Sequence, residues 1–190
     1  MTDLTRDNGQ GAKTHAFLAG LTYLIIDDNR FARILMRAAL AGFGLKHVIE
    51  AEDAVEGLAL LRKLPIDVVL VDYEMPIVNG CEFTRLARRD DGVLNPELPI
   101  VMVSGHCDWR CVVAARDAGV HEYLAKPFSA DDLFRRVAMA VLKPRPFIRS
   151  KTYVGPERRS VKTTPLPVLV DRRQGTVTQA PVLDPIACVA

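Results

Sequence analysis

Four short apolar segments of this chain each end at polar residues whose side chains could contact a phosphoryl group. In chain order, the residues that end these segments are Asp27 with Asp28, then Asp72, then Ser104, then Lys126. Apolar runs of about five residues without alternation predict strands that are buried on both faces, as in a parallel sheet covered by helices. Such sheets bind ligands beyond the carboxyl ends of their strands. The sequence therefore predicts that carboxylates, a hydroxyl and an ammonium meet in one cleft.

This combination of side chains suits phosphoryl transfer that is assisted by a divalent cation. Carboxylates held close together repel one another, and their pKa values rise unless a cation is bound. Mg²⁺ prefers hard oxygen ligands and often shares its coordination shell with phosphate oxygens, which makes Asp27, Asp28 and Asp72 a candidate magnesium site. An aspartate beside such a cation can act as a nucleophile and form an acyl phosphate. Lys126 and Ser104 could then contact the phosphoryl oxygens.

The rest of the apolar pattern predicts strands that alternate strictly with helices. The predicted strands are 22–26, 45–49, 67–71, 100–103 and 121–125, and the predicted helices are 29–40, 54–64, 81–89, 108–118 and 130–142. Ser129 is a predicted N-cap of the last helix, and Gly119 a predicted stop of the one before it. This alternation predicts a doubly wound α/β domain, in which a five-stranded parallel sheet has right-handed crossovers and helices on both faces.

The first predicted helix has a clear helical period. Its apolar stripe consists of Phe31, Ile34, Leu35, Ala38 and Ala39, and its arginines, Arg30, Arg33 and Arg37, fall on the other side. This pattern predicts that the apolar stripe faces the core and that the arginines face solvent.

The composition is that of an ordinary globular protein, with 49% hydrophobic and 25% charged residues. No apolar run approaches the roughly 20 residues that span a bilayer, which argues against membrane insertion. The N-terminal segment lacks the basic and apolar regions of a signal peptide, so we expect a cytoplasmic protein. The four cysteines are unevenly spread, and ordinary packing explains Cys107 and Cys111 better than a metal site with His106 does.

Three regions are expected along the chain: an N-terminal extension (1–20), a globular domain (21–142) and a basic, proline-rich tail (143–190). Residues 1–142 have 16 basic against 20 acidic side chains, whereas residues 143–190 have 9 against 3. Seven of the 12 prolines also lie in the tail. Such a segment is predicted to be largely extended or disordered. Within it, the aromatic and arginine-rich stretch Phe147 to Arg159 could dock on another surface, and Val168 to Val170 could form a strand.

Residues 21–142 resemble the receiver domain of two-component response regulators. The motifs that carry the resemblance are IIDDN, VDYEMPIVNG, VMVSG and YLAKPF, each at the end of a predicted strand. Their order and the 22 residues from Ser104 to Lys126 fit that family over nearly two thirds of the chain. The resemblance implies a flavodoxin-like fold with strand order 2-1-3-4-5.

The resemblance also implies a role for each motif residue. Asp72 resembles the phosphoacceptor, Asp27 and Asp28 resemble the metal-binding pair, and the backbone carbonyl of Glu74 resembles a third Mg²⁺ ligand beside them. Lys126, before a cis Pro127, and Ser104 would hold the phosphoryl group. Tyr123 matches the aromatic residue that turns inward with the serine when such domains are activated.

By resemblance, this chain is a single-domain response regulator that acts in phosphorelay signal transduction. A histidine kinase or phosphotransfer protein would supply the phosphoryl group, and a downstream protein would bind the phosphorylated form. Enzymatic activity would be limited to the protein's own phosphorylation and dephosphorylation. A dimer through the fourth predicted helix, the fifth strand and the fifth helix is a further arrangement that the resemblance allows.

Two other functional classes stay open on the sequence alone. A DNA-binding or transcription-linked regulator could use the basic tail, but the tail lacks a helix-turn-helix pattern, which argues against nucleic acid as a partner. An aspartate-nucleophile phosphatase would need a second acid two residues after the nucleophile, the position that Glu74 occupies. Asp28 taken alone could also be no more than a helix cap.

Overall fold

A computed structural model describes residues 8–105 and 108–158 of the chain. The helices are α1 (Asn8–Ala19), α2 (Arg30–Gly42), α3 (Ala54–Lys63), α4 (Gly80–Arg89), α5 (Trp109–Ala118) and α6 (Ala130–Leu142). The strands are β1 (Tyr23–Ile26), β2 (Val48–Ala51), β3 (Val68–Asp72), β4 (Ile100–Ser104), β5 (Glu122–Ala125), β6 (Phe147–Arg149) and β7 (Val154–Pro156). His106, Cys107 and the segment 168–170, on which predictions were made, lie outside the described residues.

Strands β1 to β5 form one parallel sheet in the order β2-β1-β3-β4-β5, which confirms the predicted doubly wound topology. Every residue of β1, β3 and β4 is buried. Two apolar clusters cover the two faces of the sheet, one that includes Phe83 of α4 and one that includes Leu133 of α6. Because the strands are parallel, their carboxyl ends all lie at the same edge of the sheet.

The helix caps show how local sequence sets the element boundaries. Gly119 ends α5 in the left-handed conformation, with φ of 101°, and Ser129 caps α6 by accepting a hydrogen bond from the backbone N–H of Asp132. Both positions confirm the prediction. The N-cap of α2 is Asn29 and not Asp28, so the capping explanation for Asp28 does not apply.

The predicted orientation of α2 is wrong. Phe31 and Leu35 are 76% and 67% exposed, whereas Arg33 is only 5% exposed and lies on the buried face with Met36 and Leu40. The arginine can be buried because each of its three guanidinium nitrogens donates a hydrogen bond, including one to the backbone carbonyl of Asp27. An amphipathic pattern that counts every arginine as solvent-facing therefore predicts the wrong buried face for this helix.

Strand β2 begins later than predicted, at Val48 rather than residue 45. Leu45 is fully buried without being part of the strand, because it packs into the apolar cluster that includes Leu18 and Leu40. A short apolar run cannot distinguish such a core contact from a strand residue, which explains the shift.

Two ordered elements lie outside the predicted domain of residues 21–142. Helix α1 lies in the predicted N-terminal extension, and its Leu18 is fully buried. Strands β6 and β7 pair antiparallel within the predicted tail. The compact unit that holds the sheet therefore extends to Pro156. No helix in the described part of the chain is long and apolar enough to cross a membrane.

Arg88 and His121 form a buried polar pair at the amino ends of β4 and β5. Arg88 donates to the backbone carbonyls of Gly119, Pro96 and Leu98, at 2.7 to 3.2 Å. His121 Nδ1 accepts the backbone N–H of Ile100 at 3.2 Å, and Arg88 Nη2 lies at the same distance. Burial lowers the pKa of His121 to about 3, and the positive charges of Arg88 and Arg145 add to this effect.

This histidine makes a specific contribution to the pH dependence of stability. Above its ordinary pKa of 6.5 the imidazole is neutral in the folded and the unfolded state. Between about pH 6.5 and 3 only the unfolded chain takes up the proton, so the free energy of unfolding falls by up to about 1.4 kcal/mol per pH unit as pH falls. Urea unfolding over this range should show a shallower slope for His121→Gln, while exposed His47→Gln should match wild type. Equal slopes for all three proteins would contradict the assignment.

Candidate functional site

The sheet brings four of the predicted site residues to one edge. Asp27 follows β1 directly, Asp72 and Ser104 are the last residues of β3 and β4, and Lys126 follows β5. The strand register fixes their relative positions along the sheet, since Asp72 pairs with Val103 and Ser104 pairs with Ala125. The backbone N–H of Lys126 also donates to the carbonyl of Ser104 at 2.6 Å.

Lys126 connects the two buried carboxylates of this edge. Its Nζ lies 2.6 Å from Asp72 Oδ1 and 3.0 Å from Asp27 Oδ2. Asp27 is 1% exposed and Asp72 is 6% exposed, so both carboxylates depend on protein groups rather than on water for their stabilisation. One ammonium thus compensates charge on two desolvated acids.

The other carboxylate oxygens accept hydrogen bonds from the backbone. Asp27 Oδ1 accepts from the N–H of Asn29 at 2.9 Å, and Asp72 Oδ2 accepts from the N–H of Glu74 at 2.6 Å. These bonds fix the rotation of each carboxylate, so that its second oxygen points at Lys126. The site is held by backbone turns as well as by the ion pairs.

The electrostatics of the cluster favour the presence of a cation. Burial raises the pKa of Asp72 above its usual value, and the charge of Asp27 adds to this, while Lys126 and the Glu74 N–H act in the opposite direction. For Lys126, burial opposes the charge, but the hydrogen bonds and charges of Asp72 and Asp27 outweigh it and raise the pKa of the ammonium. Asp72 is therefore a carboxylate whose ionised form needs positive charge nearby.

Two predicted ligands lie outside this cluster of side chains. The side chain of Asp28 is exposed, and Glu74, whose backbone carbonyl is the predicted ligand, also has an exposed side chain. Among the described residues, no three Asp, Glu, His or Cys side chains are grouped as a metal site would require. The structure brings together the side chains of Asp27, Asp72 and Lys126, whereas the side chain of Asp28, the next residue in sequence, is exposed.

The loop after β3 depends on a glycine. A Cβ at Gly80 would lie 2.2 Å from the backbone carbonyl of Asp72, which is far inside van der Waals contact. In the same loop, Ile77 has a positive φ of 69° and a side chain that is 97% exposed. The glycine of the VDYEMPIVNG motif thus allows α4 to begin directly against the end of β3, which sets the backbone around Asp72.

Arg33 is a site residue that the sequence interpretation missed. Its Nη1 donates to the backbone carbonyl of Asp27 at 2.8 Å, and its other nitrogens contact Glu50 at 3.2 Å and Glu52 at 2.7 Å. Arg37 also binds Glu50. The sequence does contain an indication of this burial, because Glu50 and Glu52 at the end of β2 supply the negative charge that a buried arginine needs.

Ser104 and Tyr123 lie on neighbouring strands. Ser104 is fully buried, and Tyr123 is half-buried and packs against the same apolar cluster as Tyr73. The peptide bond between Lys126 and Pro127 is cis, as the resemblance implied.

The residues present fit a divalent cation. A single ammonium already contacts one oxygen of each of two buried carboxylates, so both oxygens lie within reach of one positive charge. Carboxylate oxygens are also the ligands that Mg²⁺ prefers. Asp27 and Asp72, with Asp28 and the carbonyl of Glu74, are the groups that would hold it.

Comparisons with known proteins agree with this geometry. The family model described as the response regulator receiver domain matches residues 23–138. Chemotaxis protein CheY-3 of Vibrio cholerae is 31% identical over 110 residues, which are 58% of this chain and 83% of that protein. Chemotaxis protein CheY of Pseudomonas aeruginosa is 30% identical over 114 residues, 60% of this chain and 90% of that protein.

Solved structures show the same likeness. The chemotaxis protein CheY4 of Vibrio cholerae is 26% identical with a TM-score of 0.57, over 63% of this chain and 98% of that one. A CheY-like receiver domain protein of Methanospirillum hungatei is 26% identical with a TM-score of 0.58, over 65% of this chain and 96% of that one. With the family match covering more than half of its residues, the chain belongs to the response regulator receiver family.

Proposed function

We propose that this protein receives a phosphoryl group on Asp72 from a histidine kinase or phosphotransfer protein and signals by binding a downstream protein. The observation that carries the proposal is the contact of Lys126 Nζ with both Asp72 Oδ1 and Asp27 Oδ2. It supplies a nucleophilic carboxylate and the positive charge that phosphoryl transfer needs at the same point.

The reaction follows from the position of each group. A carboxylate oxygen of Asp72 attacks the phosphorus of the donor, the bond from phosphorus to the donor atom breaks, and an acyl phosphate forms. Lys126 stabilises charge on the phosphoryl oxygens, and the Ser104 hydroxyl donates to one of them. Mg²⁺, when bound, would offset the remaining negative charge. The Glu74 N–H keeps Asp72 in a fixed orientation through Oδ2.

Activation would run through Ser104 and Tyr123. A phosphoryl oxygen offers the Ser104 hydroxyl a new acceptor, and movement of Ser104 changes the space beside the half-buried Tyr123 ring. Two arrangements of one packed surface, formed by α5, β5 and α6, would thus differ in population before and after phosphorylation. This surface is also where a dimer or a downstream protein would bind.

The exposed apolar residues beside the cleft support docking of a phosphodonor protein. Phe31 and Leu35 lie on the first turns of α2, directly after the acid pair, and Ile77 lies in the loop after Asp72. Large exposed apolar side chains grouped near a reactive site mark an interaction surface. We expect a cytoplasmic kinase or phosphotransfer protein to cover them while its phosphohistidine reaches Asp72.

Phosphorylation should occur at Asp72. After incubation with acetyl phosphate and Mg²⁺, intact mass spectrometry should show one added phosphoryl group on wild type and none on Asp72→Asn, because a side-chain amide at position 72 cannot form the acyl phosphate. Exposed Asp91→Asn is the matched control and should label like wild type. Equal labelling of Asp72→Asn and wild type would contradict the proposal. Continuous release of phosphate from an added phosphate monoester would favour the phosphatase alternative instead.

Arg33 should determine Mg²⁺ affinity because it fixes the backbone of Asp27. We expect Arg33→Gln to weaken Mg²⁺ binding by about tenfold, as is usual when a group that orients a metal ligand is removed. Arg37→Gln is the control, since Arg37 shares Glu50 but does not contact Asp27. Isothermal titration calorimetry on folded protein separates affinity from loss of folded molecules. An unchanged dissociation constant in Arg33→Gln would show that this arginine only supports the fold.

A further inference from the structure

The C-terminal hairpin, defined here as residues 145–156, is packed against the end of the sheet opposite to Asp72. It lies beyond the segment that the family model matches, which ends at residue 138. Its Tyr153, Gly155 and Pro156 are buried, and Tyr153 Oη donates to the carbonyl of Pro156 at 2.5 Å and lies 3.4 Å from the carbonyl of Arg116. The segment is therefore an ordered addition to the receiver fold.

The hairpin meets the end of α5 backbone to backbone. A Cβ at Gly119 would lie 2.8 Å from the carbonyl oxygen of Val154, and one at Gly155 would lie 2.6 Å from the Cα of Gly119. Only two glycines allow an approach this close. Gly119 is also the left-handed cap that joins α5 to β5, so the hairpin contacts the joint between these two elements.

Polar and aromatic contacts hold the hairpin on both sides of this joint. Arg145 Nη2 donates to the carbonyls of Val120 and His121, at 3.0 and 2.8 Å. The Phe147 ring lies against His121, with centroids 6.5 Å apart, and 5.4 Å from the guanidinium carbon of buried Arg88. The surface thus fits an extended segment that presents an arginine, an aromatic ring and a glycine in this order.

Strands β4 and β5 connect this surface to the phosphoacceptor site. At one end of the pair the N–H of His121 donates to the carbonyl of Ile100, and at the other the N–H of Lys126 donates to the carbonyl of Ser104. Helix α5 links β4 to β5, and its Ala115 and Ala118 are buried in the apolar cluster that covers the sheet. A shift of α5 and β5 that follows a change at Ser104 must therefore either carry the hairpin along or weaken its contacts.

We propose that docking of the hairpin on the α5–β5 joint is coupled to phosphorylation of Asp72, so that phosphorylation loosens the hairpin and exposes its docking surface to a downstream protein. The inference rests on the proposed function. Its direction follows from Lys126, since the hairpin is docked in the arrangement in which Lys126 contacts Asp72 Oδ1 directly, a contact that a phosphoryl group on this oxygen must replace. Because coupling is reciprocal, loosening the hairpin must favour binding at Asp72.

The test uses the full chain and beryllofluoride with Mg²⁺, a non-covalent mimic of the phosphoryl group. Gly155→Val and the double variant Phe147→Ala with Tyr153→Ala remove the docking contacts in two different ways. Ile148→Thr, an exposed position of the same hairpin, is the matched control. The fluorescence of Trp109, the single tryptophan, reports binding of the mimic, and hydrogen exchange of residues 147–156 reports docking.

We expect the mimic to increase hydrogen exchange in the hairpin of wild type and of Ile148→Thr. The two docking variants should bind the mimic at least about fivefold more tightly than wild type, within the usual range of coupling between sites. Full exchange of the hairpin together with wild-type affinity in these variants would overturn the inference. A wild-type hairpin that stays equally protected with and without the mimic would also overturn it. Failure of every protein, including wild type, to bind the mimic would instead overturn the proposed function.

Discussion

The ion pairs of Lys126 with Asp27 and Asp72 are the interaction on which the arrangement of the site depends. Two carboxylates that are almost inaccessible to water need positive charge nearby to offset their lost hydration. Lys126 meets that need at 2.6 and 3.0 Å. Under the proposed function, the same charge would also stabilise a phosphoryl group on Asp72, so one set of contacts would serve both stability and chemistry.

The surrounding elements are arranged so that these contacts can form. The parallel sheet brings the ends of β1, β3 and β5 to one edge, and Gly80 lets α4 start against the carbonyl of Asp72. Arg33 donates a hydrogen bond to the Asp27 carbonyl, and Glu50 and Glu52 compensate the charge of this arginine. At the opposite end of the sheet, Arg88 binds the backbone carbonyls that surround the α5–β5 joint, so a cation lies at each end of β4 and β5, the partly exposed Lys126 at one end and the buried Arg88 at the other.

Most of the site could be predicted from the sequence because its residues directly follow buried apolar runs. A strand that ends at an aspartate or lysine fixes where that side chain goes, and this logic placed Asp27, Asp72, Ser104 and Lys126 at one edge. The cap residues Gly119 and Ser129 were predictable for a similar reason, since caps are local.

Other features depend on contacts between residues far apart in sequence, and these could not be predicted from local pattern. The burial of Arg33 requires Glu50 and Glu52, which reverses the orientation expected for α2. The C-terminal hairpin depends on Arg88, Gly119 and His121, so a proline-rich composition alone suggested a disordered tail. In both cases a buried arginine, which hydropathy counts as exposed, made the difference.

The most direct test of this account is the thermal stability of Lys126→Met at neutral pH, measured with and without Mg²⁺. The substitution keeps most of the length of the side chain but leaves Asp27 and Asp72 without their shared cation. We predict that the variant is less stable than wild type by about 2 kcal/mol without Mg²⁺, and that Mg²⁺ raises its melting temperature more than that of wild type. A variant as stable as wild type without Mg²⁺, or one that Mg²⁺ does not stabilise, would contradict the claim that a cation must hold the two carboxylates together.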